Sequence, residues 1–118
     1  MEEYRNKYGD TLKMGDPIAI SYGRCFVYGV FHSCTNTLKF WTLRYHNTLG
    51  WTRMHPVINK EDLTMRELNQ CLDYIYGDSI SERVIKLNRD CLNDIAKNDY
   101  DKITKVLDYE YQNSWATN

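Results

Sequence analysis

The chain has 118 residues, 42% of them apolar and 26% charged, with a net charge of −1. That is enough apolar material for one buried core, and it excludes a chain disordered by composition. No run approaches the ~18 apolar residues of a membrane span, and Met1-Glu2-Glu3-Tyr4-Arg5 lacks the basic start and apolar stretch of a signal peptide. The expectation is therefore one soluble, cytoplasmic domain over 1–118, with a β-rich half at 1–60, a helical half at 61–118, and no membrane partner.

The near-neutral total hides an asymmetry. From Pro17 to Lys60 there is no Asp or Glu, yet the segment holds Arg24, Lys39, Arg44, Arg53 and Lys60, all three histidines (His32, His46 and His55), and half of the sixteen aromatics. Residues 61–118 carry twelve acidic side chains against seven basic ones. Such a division points to polarised surfaces.

In chain order, Gly15-Asp16-Pro17 is turn chemistry with proline where a strand can begin. Ile18 to Tyr22 reads as a strand closed by a tight turn at Gly23. Arg24 to Cys34 reads as a second strand, in which Gly29 predicts a bulge or sharp bend. Thr35-Asn36-Thr37 turns the chain into a third strand, Leu38 to Tyr45. His46 to Gly50 closes it, and Trp51 to Met54 is a short fourth.

After His55-Pro56 the period changes. Thr64-x-x-Glu67 is a capping-box pattern followed by Met65, Leu68, Leu72 and Ile75 on one helical face, with Gly77 placed to end that helix. Ser79-x-x-Glu82 repeats the box ahead of a stripe of Ile80, Val84, Leu87, Cys91 and Ile95. A third helix begins at Asn98-Asp99, points Ile103, Val106 and Leu107 inward, and ends near Gln112-Asn113, with Trp115 beyond it. A four-stranded meander cannot bury both of its faces alone. The fold class is thus α+β, an N-terminal antiparallel β-meander packed against three C-terminal helices.

Met14-Gly15-Asp16-Pro17-Ile18-Ala19-Ile20, followed by Val27-Tyr28-Gly29-Val30-Phe31, resembles the opening of small SH3-like or KOW-type β-barrels. The resemblance covers residues 14–34 and implies a small barrel. Past that point the chain departs from the pattern, since its third strand is unusually aromatic and no clear fifth strand follows. In general style, a short Tyr-rich and Asn-rich chain without catalytic signature resembles the accessory proteins that bacteriophages make to disable host enzymes or defence systems. That likeness implies a host protein, or a host protein–nucleic-acid complex, as partner, and the host cytoplasm as location.

Strand alternation assigns the candidate site. Lys39, Trp41, Leu43 and Tyr45 share one face of the third strand, and Leu38, Phe40, Thr42 and Arg44 the other. In the second strand, Cys25, Val27, Gly29, Phe31 and Ser33 form the smaller and more apolar set, the expected core. Arg24, Tyr28 and His32 are then left outward. The candidate binding residues are Arg24, Tyr28, His32, Lys39, Trp41, Arg44, Tyr45, Trp51 and Arg53.

Tyr, Trp and Arg are the usual anchors of protein interfaces, so the first expectation is a non-enzymatic protein that occludes a partner sterically. The alternative is a nucleic-acid or nucleotide-binding module, with aromatic rings for stacking and cations for phosphate. An uncovered edge strand near Trp51 would invite self-pairing into a homodimer. For catalysis, Cys34 with His32 or His46 is the one nucleophile–base pair to be drawn, and the region holds no acidic residue to orient it. Cys25, Cys34, Cys71 and Cys91 show no closely spaced pair, so they read as small buried hydrophobes, and Cys25, Cys34, His46 and His55 as a zinc set lack the paired spacing of structural sites. No cofactor or metal is expected.

Overall fold

The computed structural model describes residues 3–44, 61–77 and 79–116, the side chains at 22, 25 and 110–116 excepted. Two short strands open the chain, β1 (Tyr4–Arg5) and β2 (Thr11–Leu12), paired antiparallel into a small ribbon. There follow β3 (Pro17–Tyr22), β4 (Cys25–Cys34), β5 (Thr37–Thr42), α1 (Met65–Gln70), β6 (Leu72–Tyr76), α2 (Ile80–Arg83), β7 (Val84–Lys86), a single 3-10 turn at Arg89–Cys91, and α3 (Asp94–Ala116). Strands and helices are of comparable weight, and the class is α+β.

The main sheet has five strands in the order β6-β5-β4-β3-β7, every neighbouring pair antiparallel. The first three of the four strands expected in the first half stand at its centre. Both flanking strands come from the second half, where helix had been expected. Leu72 and Ile75 at a spacing of three fit a helical stripe, but the segment alternates, with Asp73 and Ile75 buried and Tyr74 and Tyr76 exposed. A Tyr-Ile-Tyr run suits a pleated, half-buried surface. Thr64 and Glu67 do form the capping box, yet the helix they start is only six residues long. At the second expected box Ser79 makes no side-chain cap and sits at φ +66°, so α2 is a single turn that gives way to β7.

The sheet buries both faces. On the first, Ile18, Ile20, Val27, Phe31, Leu38, Phe40, Ile75 and Val84 pack with Leu12 and Ile80, and the Tyr4 ring lies 6.3 Å from that of Phe31. On the second, Val30, Trp41 and Leu43 lie under Leu68 of α1, Leu92, and Ala96 and Ile103 of α3. The cap of α3 is earlier than expected, at Asn93, whose side chain accepts from the Ala96 amide at 2.9 Å. The inward stripe of α3 consequently reads Ala96, Asp99, Ile103, with Val106 and Leu107 packed beside it.

Gly29 serves close approach. A Cβ there would stand 2.8 Å from the Trp41 carbonyl oxygen and 2.9 Å from the Phe40 ring, so β5 could not lie where it does. The bulge is displaced to His32, where the β4–β5 register shifts between Phe31 and Ser33. Gly23, at φ +66°, makes the tight β3–β4 turn as expected.

The β7 edge is sealed by side chains of the N-terminal ribbon. Asn6 Nδ2 donates to the Val84 carbonyl at 2.7 Å, and the Lys86 amide donates to Asp10 Oδ2 at 3.2 Å. The Asn6 Oδ1 in turn accepts from the amides of Tyr8 and Asp10, at 3.0 and 2.8 Å, which shapes the loop that presents both residues.

Candidate interaction surface on the sheet

Trp41, expected as an outward anchor, is fully buried, and its indole Nε1 donates to the Leu68 carbonyl at 2.9 Å. Alternation put it on the correct face. The helices covering that face then made it core, because an aromatic of this size at the centre of a sheet is worth most when desolvated. Tyr28 is half-buried and packs against the same cluster. Arg44 is turned to the protein as well. Its Nε and Nη2 each reach the Asp99 carboxylate at 2.8 Å, a bidentate pair with an acid only 1% exposed. Donation to the Asp99 carboxylate holds the guanidinium above its ordinary pKa. Tyr45, Trp51 and Arg53 lie outside the described residues, as do His46, His55 and the expected fourth strand.

Three expected residues remain accessible. Arg24 is exposed at the tip of the β3–β4 hairpin. His32 and Lys39 stand together near the other end of β4, about 25–30 Å away at a strand rise of ~3.3 Å per residue. The His32 ring meets Trp41 edge-on, with centroids 5.3 Å apart, and its Nδ1 is 2.7 Å from the Ser33 hydroxyl. Partial burial, reinforced by the charge of Lys39, lowers its pKa below 6.5.

Across β5 and β6, Lys39 is paired with Tyr74, and its ammonium lies 5.7 Å from the centre of that ring. Tyr74 is 49% exposed and Tyr76 74%, both on the face shared with Lys39. His32, Lys39, Tyr74 and Tyr76 thus make one aromatic-basic patch where the second face emerges from beneath the helices. The two tyrosines were missed because their segment had been read as helix; the alternation of Leu72 to Tyr76 was the signal that could have found them. Phe26, 54% exposed beside the Arg24 turn, is a further accessible aromatic, well separated from the patch.

The bulge also decides the Cys34–His32 pair. Two residues apart on a regular strand would share a face, but the extra residue at His32 leaves it against Trp41 while Cys34 packs with Tyr4 on the first face. Burial pushes the Cys34 thiol above its ordinary pKa, which favours the protonated form. Of the other cysteines, Cys71 is buried as expected and Cys91 is exposed. Among the described residues no group of three or more His, Cys, Asp or Glu side chains is disposed to hold a metal ion.

Two of the clefts among the described residues lie elsewhere. One of about 340 Å3 runs between the start of α1 and Lys102, Lys105 and Tyr109 of α3. The other, about 420 Å3, is polar and is bounded by Tyr4, Asn36 and Ser81. No described helix is long and apolar enough to cross a membrane. No family model, no curated protein and no solved structure matches this chain.

Proposed function

We propose that the chain is a small non-enzymatic binding protein that engages another protein through the patch of Tyr74, Tyr76, Lys39 and His32 and blocks that partner sterically. Its setting, on the resemblance of the sequence, is a bacteriophage-infected cell in which the partner is a host protein or defence complex. The observation that carries this reading is a pair of exposed tyrosines on one face of a sheet strand whose other residues are locked into the core. Rigid aromatic side chains on a fixed backbone lose little entropy on binding and are frequent interface anchors.

The same geometry weighs against nucleic acid. Affinity for a phosphate backbone needs several cations in succession. Here Arg24 stands apart at the hairpin tip, Arg44 is neutralised by Asp99, and Lys39 alone of the described basic residues of 17–60 lies within the patch.

The test is capture from a bacterial lysate, with and without nuclease, using the wild-type chain and a Tyr74→Ala/Tyr76→Ala variant. A protein retained by the first, insensitive to nuclease and lost with the second, is the expected result. Recovery of nucleic acid without protein, or capture unchanged in the variant, overturns the proposal.

A further inference from the structure

We propose that the segment received by this patch is acidic, a carboxylate-bearing stretch of the partner's chain that binds the Lys39 ammonium between Tyr74 and His32. The inference rests on the protein-binding reading above and names the chemistry of the partner.

Several described basic side chains are held by carboxylates of the chain itself, among them Lys7 by Glu82, Arg44 by Asp99, Lys86 by Asp16 and Arg89 by Asp101. Lys39 is held differently, over the face of Tyr74. A ring face attracts the ammonium without accepting its N–H groups into an oxygen, so all three donors remain for an incoming carboxylate. Binding then requires no internal ion pair to be broken. The acid nearest in sequence on β6, Asp73, is turned to the first face, where it is buried and accepts from the Thr42 hydroxyl. It does not compete for Lys39.

The surroundings suit a chain more than a small anion. Tyr74 and Tyr76, two residues apart on one strand, stand about 7 Å from one another, the spacing at which alternate side chains of an extended segment recur. Each carries a phenolic hydroxyl above an apolar ring, which fits acidic residues interleaved with apolar ones. His32, on the neighbouring side of Lys39, is held towards its neutral form by burial and by the Lys39 charge. It thus offers a ring nitrogen and an aromatic edge while Lys39 supplies the positive charge. A basic segment would meet repulsion from Lys39.

The test is an NMR titration of the isotopically labelled full chain with four probes. These are a twelve-residue peptide alternating Glu or Asp with Leu, its Gln/Asn counterpart, a twelve-nucleotide oligo(dT), and inorganic phosphate. The acidic peptide is expected to shift the amides of His32, Lys39, Tyr74 and Tyr76 and to bind at least tenfold more tightly than its neutral counterpart. Lys39→Glu should remove this binding and Lys39→Arg retain it, each variant having the wild-type thermal midpoint. Equal binding by the neutral peptide overturns the acidic partner and leaves protein recognition standing. Shifts produced only by oligo(dT) overturn both readings. Phosphate acting as strongly as the peptide, or no shift with the acidic peptide, overturns the inference, and capture sensitive to the two tyrosines then decides the broader reading separately.

Discussion

The residues of the acid-free segment meet different fates according to what covers them. Trp41 is sealed beneath α1 while Lys39, two residues earlier on the same face, is only partly buried. Between them His32 is half-buried, and this makes it sensitive to pH. Its pKa is lowered in the folded protein, so the unfolded chain takes up the proton more readily. The stability that neutral His32 contributes is complete above its unfolded value, near 6.5. It is lost as pH falls through 6.5 towards the lowered value in the fold. Thermal midpoints measured from pH 7.5 to 5 should therefore fall less steeply for His32→Gln than for the wild type, and parallel curves would refute the effect. Arg44 carries a different expectation. Arg44→Ala leaves the buried Asp99 carboxylate without its guanidinium and should cost about 2–3 kcal/mol in urea unfolding, below the full cost of a buried pair because the arginine side chain is 37% exposed.

At the scale of elements, sheet register depends on a few positions where one atom decides. Gly29→Ala would drive a methyl group against the β5 backbone and the Phe40 ring, neither of which can move freely inside a packed sheet. A loss of about 1–3 kcal/mol is expected, the usual cost of overpacking, and an unchanged urea midpoint would show that β5 yields easily. How much of these elements was legible follows from their chemistry. The three central strands were plain because β-branched and aromatic runs there are punctuated by Gly and Asn turns. The Thr64 cap was legible too, being a local pattern of side chain and backbone. Leu72 to Tyr76 and Val84 to Lys86 were not, because a short apolar run has no periodicity long enough to separate helix from strand. Tyr74 and Tyr76 were lost from the candidate site by the same ambiguity. The bulge at His32 was likewise hidden, since Gly29 offered the stronger local signal.

For the whole molecule, the two halves expected from the sequence prove to be interleaved. Residues 61–118 supply both outer strands of the described sheet, and the β7 strand pairs with β3 more than sixty residues away. Separate fragments 1–60 and 61–118 should therefore each lack dispersed amide resonances, and mixing them should restore the native spectrum in part. A fragment 1–60 that folds alone would contradict this dependence. The sequence by itself determined the α+β class, the three central strands, the first helix cap and the alternation that divides β5 into two faces. These follow from side-chain size, polarity and turn chemistry acting within a few residues. Only the tertiary structure decided which face positions stay in water. Trp41 and Arg44 were drawn inward by α1 and by Asp99 of α3, whereas Lys39 gained an exposed tyrosine from a strand that local pattern had hidden. The reason is physical: exposure belongs to the elements packed against a residue, and those elements lie far from it in the chain.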